Sequence, residues 1–159
     1  VEELAGMSLL QDISQAVSEI QGAIVTDDGA SVAIAYTYPQ WNVPPAALPF
    51  FVNLFRGGPT DFSAIGGLQH IEGTMEMWLG LQPKTAGSSL AANQEYVLSW
   101  PPAVWTAFAA HVQLGNPDLV RESYIKKWDN VIFQYGVQEY YGLRFDLWIS
   151  AQLITPIGV

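Results

Sequence analysis

Gln69-His70-Ile71-Glu72-Gly73-Thr74-Met75-Glu76-Met77-Trp78-Leu79-Gly80-Leu81-Gln82 is the stretch on which the fold turns. Ile71, Gly73, Met75, Met77, Leu79 and Leu81 take every second position, and His70, Glu72, Thr74, Glu76, Trp78 and Gly80 take the alternate ones. A period of two sends the two sets to opposite faces of one long strand, one face apolar and the other partly wet. Residues 140–153 repeat the pattern. There Leu143, Phe145, Leu147, Ile149, Ala151 and Leu153 alternate with Arg144, Asp146, Trp148, Ser150 and Gln152, and Gly136 and Gly142 flank the turn into the strand.

Working outward, Val120 to Lys127 and Val131 to Tyr135 also follow a period of two and are expected as separate strands. Phe50 to Phe55 reads as a buried strand stopped by Gly57-Gly58-Pro59, and the turn cluster Thr26-Asp27-Asp28-Gly29 is expected to open a short strand or hairpin over Ser31 to Tyr38. Pro39, Pro44, Pro45 and Pro49 forbid regular structure between these strands, which predicts an extended 39–49 connection carrying Trp41. Leu4, Met7, Leu10, Ile13, Val17, Ile20 and Ile24 recur at steps of three and four, predicting an amphipathic helix from about Glu2 to Ile24. After a Pro83 to Ser89 loop, Leu90 to Leu98 and Pro102 to Leu114 read as one helix broken at Trp100-Pro101-Pro102. Val104, Phe108, Ala109 and Val112 are its expected buried stripe. Helix, strands, helix, strands, without a βαβ series, predicts a single α+β domain over 1–159. Its sheet is mostly antiparallel, with an N-terminal helix and a central helix packed on one face.

A chain of 159 residues is long enough to bury a core of its own, and half of its residues are hydrophobic against 13% charged, which argues for a compact fold. There is no cysteine, so disulfides, thiolate nucleophiles and Cys-based metal sites are excluded. Fifteen acidic and six basic residues give a net charge of −9, the wrong sign for a groove that neutralises phosphates. Apolar runs of only a few residues, and no charged segment followed by an apolar one at the start, point to a soluble chain that is neither exported nor membrane-embedded. Six Trp, seven Tyr and seven Phe are more aromatic area than one such core readily absorbs, so part of it is expected to meet another subunit.

Chemistry-bearing patterns are thin. His70, Glu72 and Glu76 share a strand face and could supply an acid–base pair or metal ligands, but a solvated face needs polar residues in any case. His111 reads as a partly buried structural histidine. No serine sits in a Gly-x-Ser-x-Gly elbow, Gly57-Gly58 and Gly66-Gly67 read as turns and not phosphate loops, and Asp27-Asp28-Gly29 lacks the alternating ligands of a calcium loop. No catalytic, metal or cofactor site is therefore expected. Trp41, Trp78 and Trp148 are the candidate subunit-interface residues, the competing reading being cover by the chain's own 39–49 connection.

The order of short motifs adds a further expectation. After the N-terminal helix come Tyr38-Pro39, then Leu48-Pro49-Phe50-Phe51-Val52, the long alternating strand and a central helix ending at Leu114-Gly115. The closing strands hold Phe133-Gln134-Tyr135-Gly136 and Tyr140-Tyr141-Gly142-Leu143-Arg144-Phe145. In this order the chain resembles the tail terminator (tail completion or minor tail) proteins of long-tailed bacteriophages, with the proline-rich 39–49 connection as its main departure. The resemblance implies a virion protein, assembled in the host cytoplasm, that forms a hexameric ring. Such a ring caps the head-proximal end of the tail tube and joins it to a neck or connector protein, with no enzymatic activity and no cofactor. DNA would pass through its lumen without specific binding, which carboxylates lining the lumen would favour by repelling phosphates. Another neck component, such as a head-completion, stopper or connector subunit, is the near alternative. A small ligand-binding module using the three tryptophans is the more distant one, and an enzyme using His70, Glu72 and Glu76 the most distant.

Overall fold

The computed structural model describes residues 10–40, 44–62, 68–85 and 93–154, without the side chains of 59–62, 68, 69, 153 and 154. The elements are α1 (Gln11–Gly22), β1 (Ile34–Tyr36), β2 (Phe50–Phe62), β3 (Leu68–Pro83), α2 (Gln94–Leu98), α3 (Trp100–Ala109), β4 (Val120–Tyr135) and β5 (Gln138–Ile154). Five strands form one mixed sheet in the order β1-β2-β3-β5-β4, antiparallel except for the parallel β1–β2 pair. This is an α+β fold. Among the described residues no helix is long and apolar enough to cross a membrane.

β3 and β5 are the two 14-residue alternations of the sequence laid side by side, with Met75 opposite Leu147, Met77 opposite Phe145 and Leu79 opposite Leu143. Their apolar sets make one continuous core with Ile13 and Val17 of α1 and with Trp100, Val104 and Phe108 of α3. Both helices therefore contribute to the apolar face of the sheet, because each has a single stripe to bury and this face is the matching surface. Close approach of β3 and β5 depends on Gly142. A Cβ there would collide with the Leu79 carbonyl oxygen, next to the irregularity in pairing between Gly80 and Gln82.

One polar pair interrupts this core. Asn53 of β2 and Gln21 of α1 are buried and exchange amide hydrogen bonds of 2.7 and 2.8 Å. The Asn53 amide nitrogen also donates to the Tyr36 carbonyl oxygen at 3.0 Å. The pair fixes where α1 sits on the sheet, since any slide leaves two amides without partners in a dry interior.

Several boundaries differ from expectation. Gly57-Gly58-Pro59 does not stop β2, which continues to Phe62. A shift in pairing between Gly57 and Thr60 absorbs the proline, and β1 pairs only with Phe50–Val52, so no described strand on the outer side needs the missing N–H. The strands expected at 120–127 and 131–135 are one strand, because Trp128, Asp129 and Asn130 pair with Phe145, Arg144 and Leu143. β4 lies at the sheet edge, where polar residues remain solvated. The second helix ends at Ala109 and not Leu114. Successive turns to Asn116, with Leu114 at φ 52° and Gly115 at φ 69°, bury Leu114 and leave Ala109 and Val112 exposed. The short strand is confined to Ile34–Tyr36 after a minimal hairpin closed by the Val25–Ser31 bridge. The first helix begins at Gln11; its expected start at Glu2 lies outside the described residues, as do Gly66-Gly67. Of Gly136 and Gly142, Gly136 alone lies in the two-residue β4–β5 turn, at φ 69°, where glycine in the first position suits a II′ turn, and Gly142 lies within β5.

Replacing Asn53 by alanine should lower stability by about 2–3 kcal/mol, because it strands the Gln21 amide, whereas the double replacement Gln21→Leu with Asn53→Leu should recover most of the loss. Urea unfolding of the two single variants and the double variant measures this coupling.

Candidate functional site

The sheet face opposite the helices carries three zones in succession. At the β1 end Phe50, Val52, Phe133, Tyr135 and Tyr140 form a second apolar cluster, with Tyr36 and Trp78 packed against it. Phe50 stands 5.1 Å from both Tyr135 and Tyr140, ring centre to ring centre. It fits because Gly80, opposite it on β3, has no side chain; a Cβ there would enter the Phe50 ring. The 39–49 connection is tied to this cluster from both of its described ends: the Gln40 N–H donates to the Tyr135 hydroxyl at 3.2 Å and the Ala46 N–H to the Tyr36 hydroxyl at 3.0 Å. Burial pushes the Tyr135 and Tyr140 phenols above the usual tyrosine range. The nearby Tyr36 adds to both, and the Gln40 N–H pulls Tyr135 partly back.

The middle zone is ionic. Glu76 and Asp146, both buried, are opposite each other on β3 and β5. Glu76 accepts from Arg56 Nε at 2.7 Å and from Arg144 Nη2 at 3.2 Å, while Asp146 accepts from Arg144 Nε at 2.9 Å and lies 3.8 Å from Lys127. Arg144 thus bridges both carboxylates, and its guanidinium also sits over the Trp78 ring at 5.1 Å. Half of the chain's six cations are consumed in neutralising two acids. This arrangement gives the zone an internal charge balance.

The third zone lies near the far end of β3 and β5. His70 Nε2 and Ser150 Oγ are 2.9 Å apart, and Trp148 packs on Tyr124 with ring centres 5.1 Å apart. Glu72, Arg121 and Glu122 complete a shallow recess there. A histidine beside a serine invites comparison with a nucleophile and its base; Ser150 is 5% exposed and borders the recess together with His70.

His70, Glu72 and Glu76 therefore share a face as expected without forming one site. His70 and Glu76 are six residues apart on an extended strand, about 20 Å, and their hydrogen bonds go to different partners. No group of three or more His, Asp or Glu among the described residues could hold a metal ion. His111 is exposed and not partly buried; its Nδ1 lies 2.9 Å from the Ala107 carbonyl oxygen, at the rim of a cavity of about 710 Å3 between α1 and α3. Trp41 lies outside the described residues. Trp78 is half-buried by its own chain, and Trp148 is half-buried against Tyr124.

Sequence reading overlooked the two tryptophans that are most exposed among the described residues, Trp105 on α3 and Trp128 on β4. A signal for Trp105 existed. It stands one residue past Val104 and five past Trp100, and both of those are buried, so helical phase turns it outward. No such signal existed for Trp128, whose exposure follows from the edge position of β4.

Replacing Arg144 by methionine leaves Glu76 with Arg56 alone and Asp146 with Lys127 alone, and should cost about 2–3 kcal/mol; Arg144→Lys should restore less than half, lacking the planar fork. Equilibrium unfolding of both variants decides this. Raised phenol pKa values have a definite sign: the folded chain retains those protons at higher pH than the unfolded chain does. Stability should therefore be complete below about pH 10 and fall as the pH rises through the folded values, more gently in Tyr135→Phe. Urea midpoints taken between about pH 8 and about pH 11.5 test it. No protein family and no curated protein matches this sequence.

Proposed function

We propose that this chain is a structural subunit of a long-tailed phage virion, a ring-forming tail terminator that caps the head-proximal end of the tail tube and meets the neck. The observation that carries the reading is the exposed apolar surface where α2 and α3 meet β4, formed by Leu98, Trp105 and Trp128. Large side chains of this kind left in water mark a surface that another protein covers, and tryptophan is the residue type most enriched at the centres of such contacts. The order of sequence motifs supplies the family, and the α+β architecture is compatible with it. In this role the subunits assemble as a ring, with tube and neck proteins as partners and DNA crossing the lumen unbound.

The ionic zone fits the same role. Glu76 and Asp146 are neutralised internally, so the remaining carboxylates, among them Asp12, Glu19, Asp27 and Asp28, set the field that the surface presents. A second reading rests on the Trp148–Tyr124 pair beside Glu72 and Arg121, an aromatic platform with polar rims on which a small ligand such as a sugar could stack.

Light scattering with negative-stain imaging of the purified protein, followed by addition to growing tail tubes, separates the two. Rings that arrest tube growth support the terminator reading. A monomer that leaves tube length unchanged, and whose Trp148 fluorescence responds to a glycan panel in a way abolished by Trp148→Ala, supports the ligand module.

A further inference from the structure

Two regions of the sheet face opposite the helices treat charge in opposite ways. In the middle, Arg56, Arg144 and Lys127 are engaged with Glu76 and Asp146. At the His70 end, Glu72, Glu122 and Arg121 line a single recess of about 440 Å3. None of these three forms an ion pair among the described residues. Opposite charges that border one cavity without meeting each other are complementary to a ligand that carries both signs.

Strand pairing builds the recess. Glu72 on β3 and Glu122 on β4 both lie opposite Ser150 on β5, and in the next row Thr74 and Tyr124 both lie opposite Trp148. Partners across a sheet project from the same face, so one small side chain stands between two carboxylates on strands about 10 Å apart, with an indole as the adjoining wall. Ser150 is engaged by His70 Nε2 at 2.9 Å, and Tyr124 backs Trp148. Two carboxylates on strands so far apart do not chelate a metal ion, and no metal-binding group exists among the described residues. A larger organic cation spans the gap, and the face of an indole attracts it.

Arg121 joins this face because of the pairing shift between Val120 and Glu122. In an undistorted strand Arg121 and Glu122 would project to opposite sides of the sheet, whereas the extra residue of the shift lets both line one recess. A guanidinium presents a fork of donors that matches a carboxylate. An anion-binding group thus stands beside a cation-binding pair.

We propose that this recess binds a small zwitterion, its alkylated ammonium between Glu72 and Glu122 against Trp148 and its carboxylate on Arg121. The proposal rests on the second reading above, in which the Trp148 end of the sheet is a ligand site, and names a ligand of both charges where that reading has a sugar as its example. It asks nothing of the ring, because the recess is built within one chain.

The test is isothermal titration of the full chain with glycine betaine, tetramethylammonium, acetate and methyl glucoside, with the folding of each variant verified by circular dichroism. Glycine betaine should bind about fivefold or more tightly than tetramethylammonium, which lacks the carboxylate, or acetate, which lacks the cation. Arg121→Met, at an exposed position, should remove that advantage without weakening tetramethylammonium. Glu72→Gln with Glu122→Gln should weaken both cations, and Trp148→Leu should weaken both about tenfold. Glycine betaine binding without retention of the chain on phosphatidylcholine vesicles places the zwitterion in solution. Retention on those vesicles that Arg121→Met abolishes places it on a lipid headgroup. Glycine betaine binding that Arg121→Met leaves unchanged overturns the proposal. A chain that binds methyl glucoside but neither glycine betaine nor vesicles overturns the zwitterion and leaves the ligand-site reading standing, and one that binds none of the three overturns both.

Discussion

Antiparallel pairing of β3 with β5 is the constraint on which the rest of the molecule depends. Its register aligns the two alternations, so that Ile71, Met75, Met77 and Leu79 lie beside Ala151, Leu147, Phe145 and Leu143, and Glu76 lies beside Asp146. A slip of either strand by one residue would turn that strand's two faces inside out, placing its buried carboxylate, Glu76 or Asp146, under the helices. Gly142 allows the close approach, because nothing larger than hydrogen fits beneath the Leu79 carbonyl. Once this pair is set, the dry face dictates where α1 and α3 go, and the other face must find partners for two buried carboxylates.

Those carboxylates are satisfied by a compact arrangement centred on Arg144, whose planar fork reaches Glu76 and Asp146 while its flat face covers Trp78. A lysine would supply charge without the geometry. The network also separates the aromatic cluster under the 39–49 connection from the His70–Trp148 end of the sheet, and so divides one face into regions of distinct chemistry. With both acids neutralised from within, the negative charge that the protein shows its surroundings comes from positions spread over the helices, turns and strands, Glu19, Asp27, Asp28, Glu95, Glu122 and Glu139 among them.

At the periphery the fold ends asymmetrically. β1 is three residues long and parallel to its neighbour, whereas β4 spans 16 residues with its outer edge unpaired by any described strand. Its pairing shifts and charged residues discourage another strand from adding on, while Trp128 beside Trp105 leaves apolar surface in water. Resistance to strand addition combined with apolar side-chain surface is what a subunit needs if it is to assemble to a limited size without continuing as a fibre.

Much of this was legible in the residue order. Periods of two and 3.6 are local properties of a chain, and they were enough for the class of fold, both long strands with their faces, and the helix around Ile13 and Val17. Strand ends were misread at Gly57-Gly58-Pro59 and at Trp128-Asp129-Asn130, because whether a proline or a polar run ends a strand depends on whether a neighbour needs its hydrogen bonds. The face shared by His70, Glu72 and Glu76 was likewise readable, but not their separate partners: Ser150, Arg56 and Arg144 arrive from other strands. The sequence by itself determined which residues face inward along each element, since that follows from backbone geometry within one segment. Only the tertiary structure decided which strand lies at the edge, which tryptophans remain in water and which charges neutralise one another, because those depend on contacts between segments far apart in the chain.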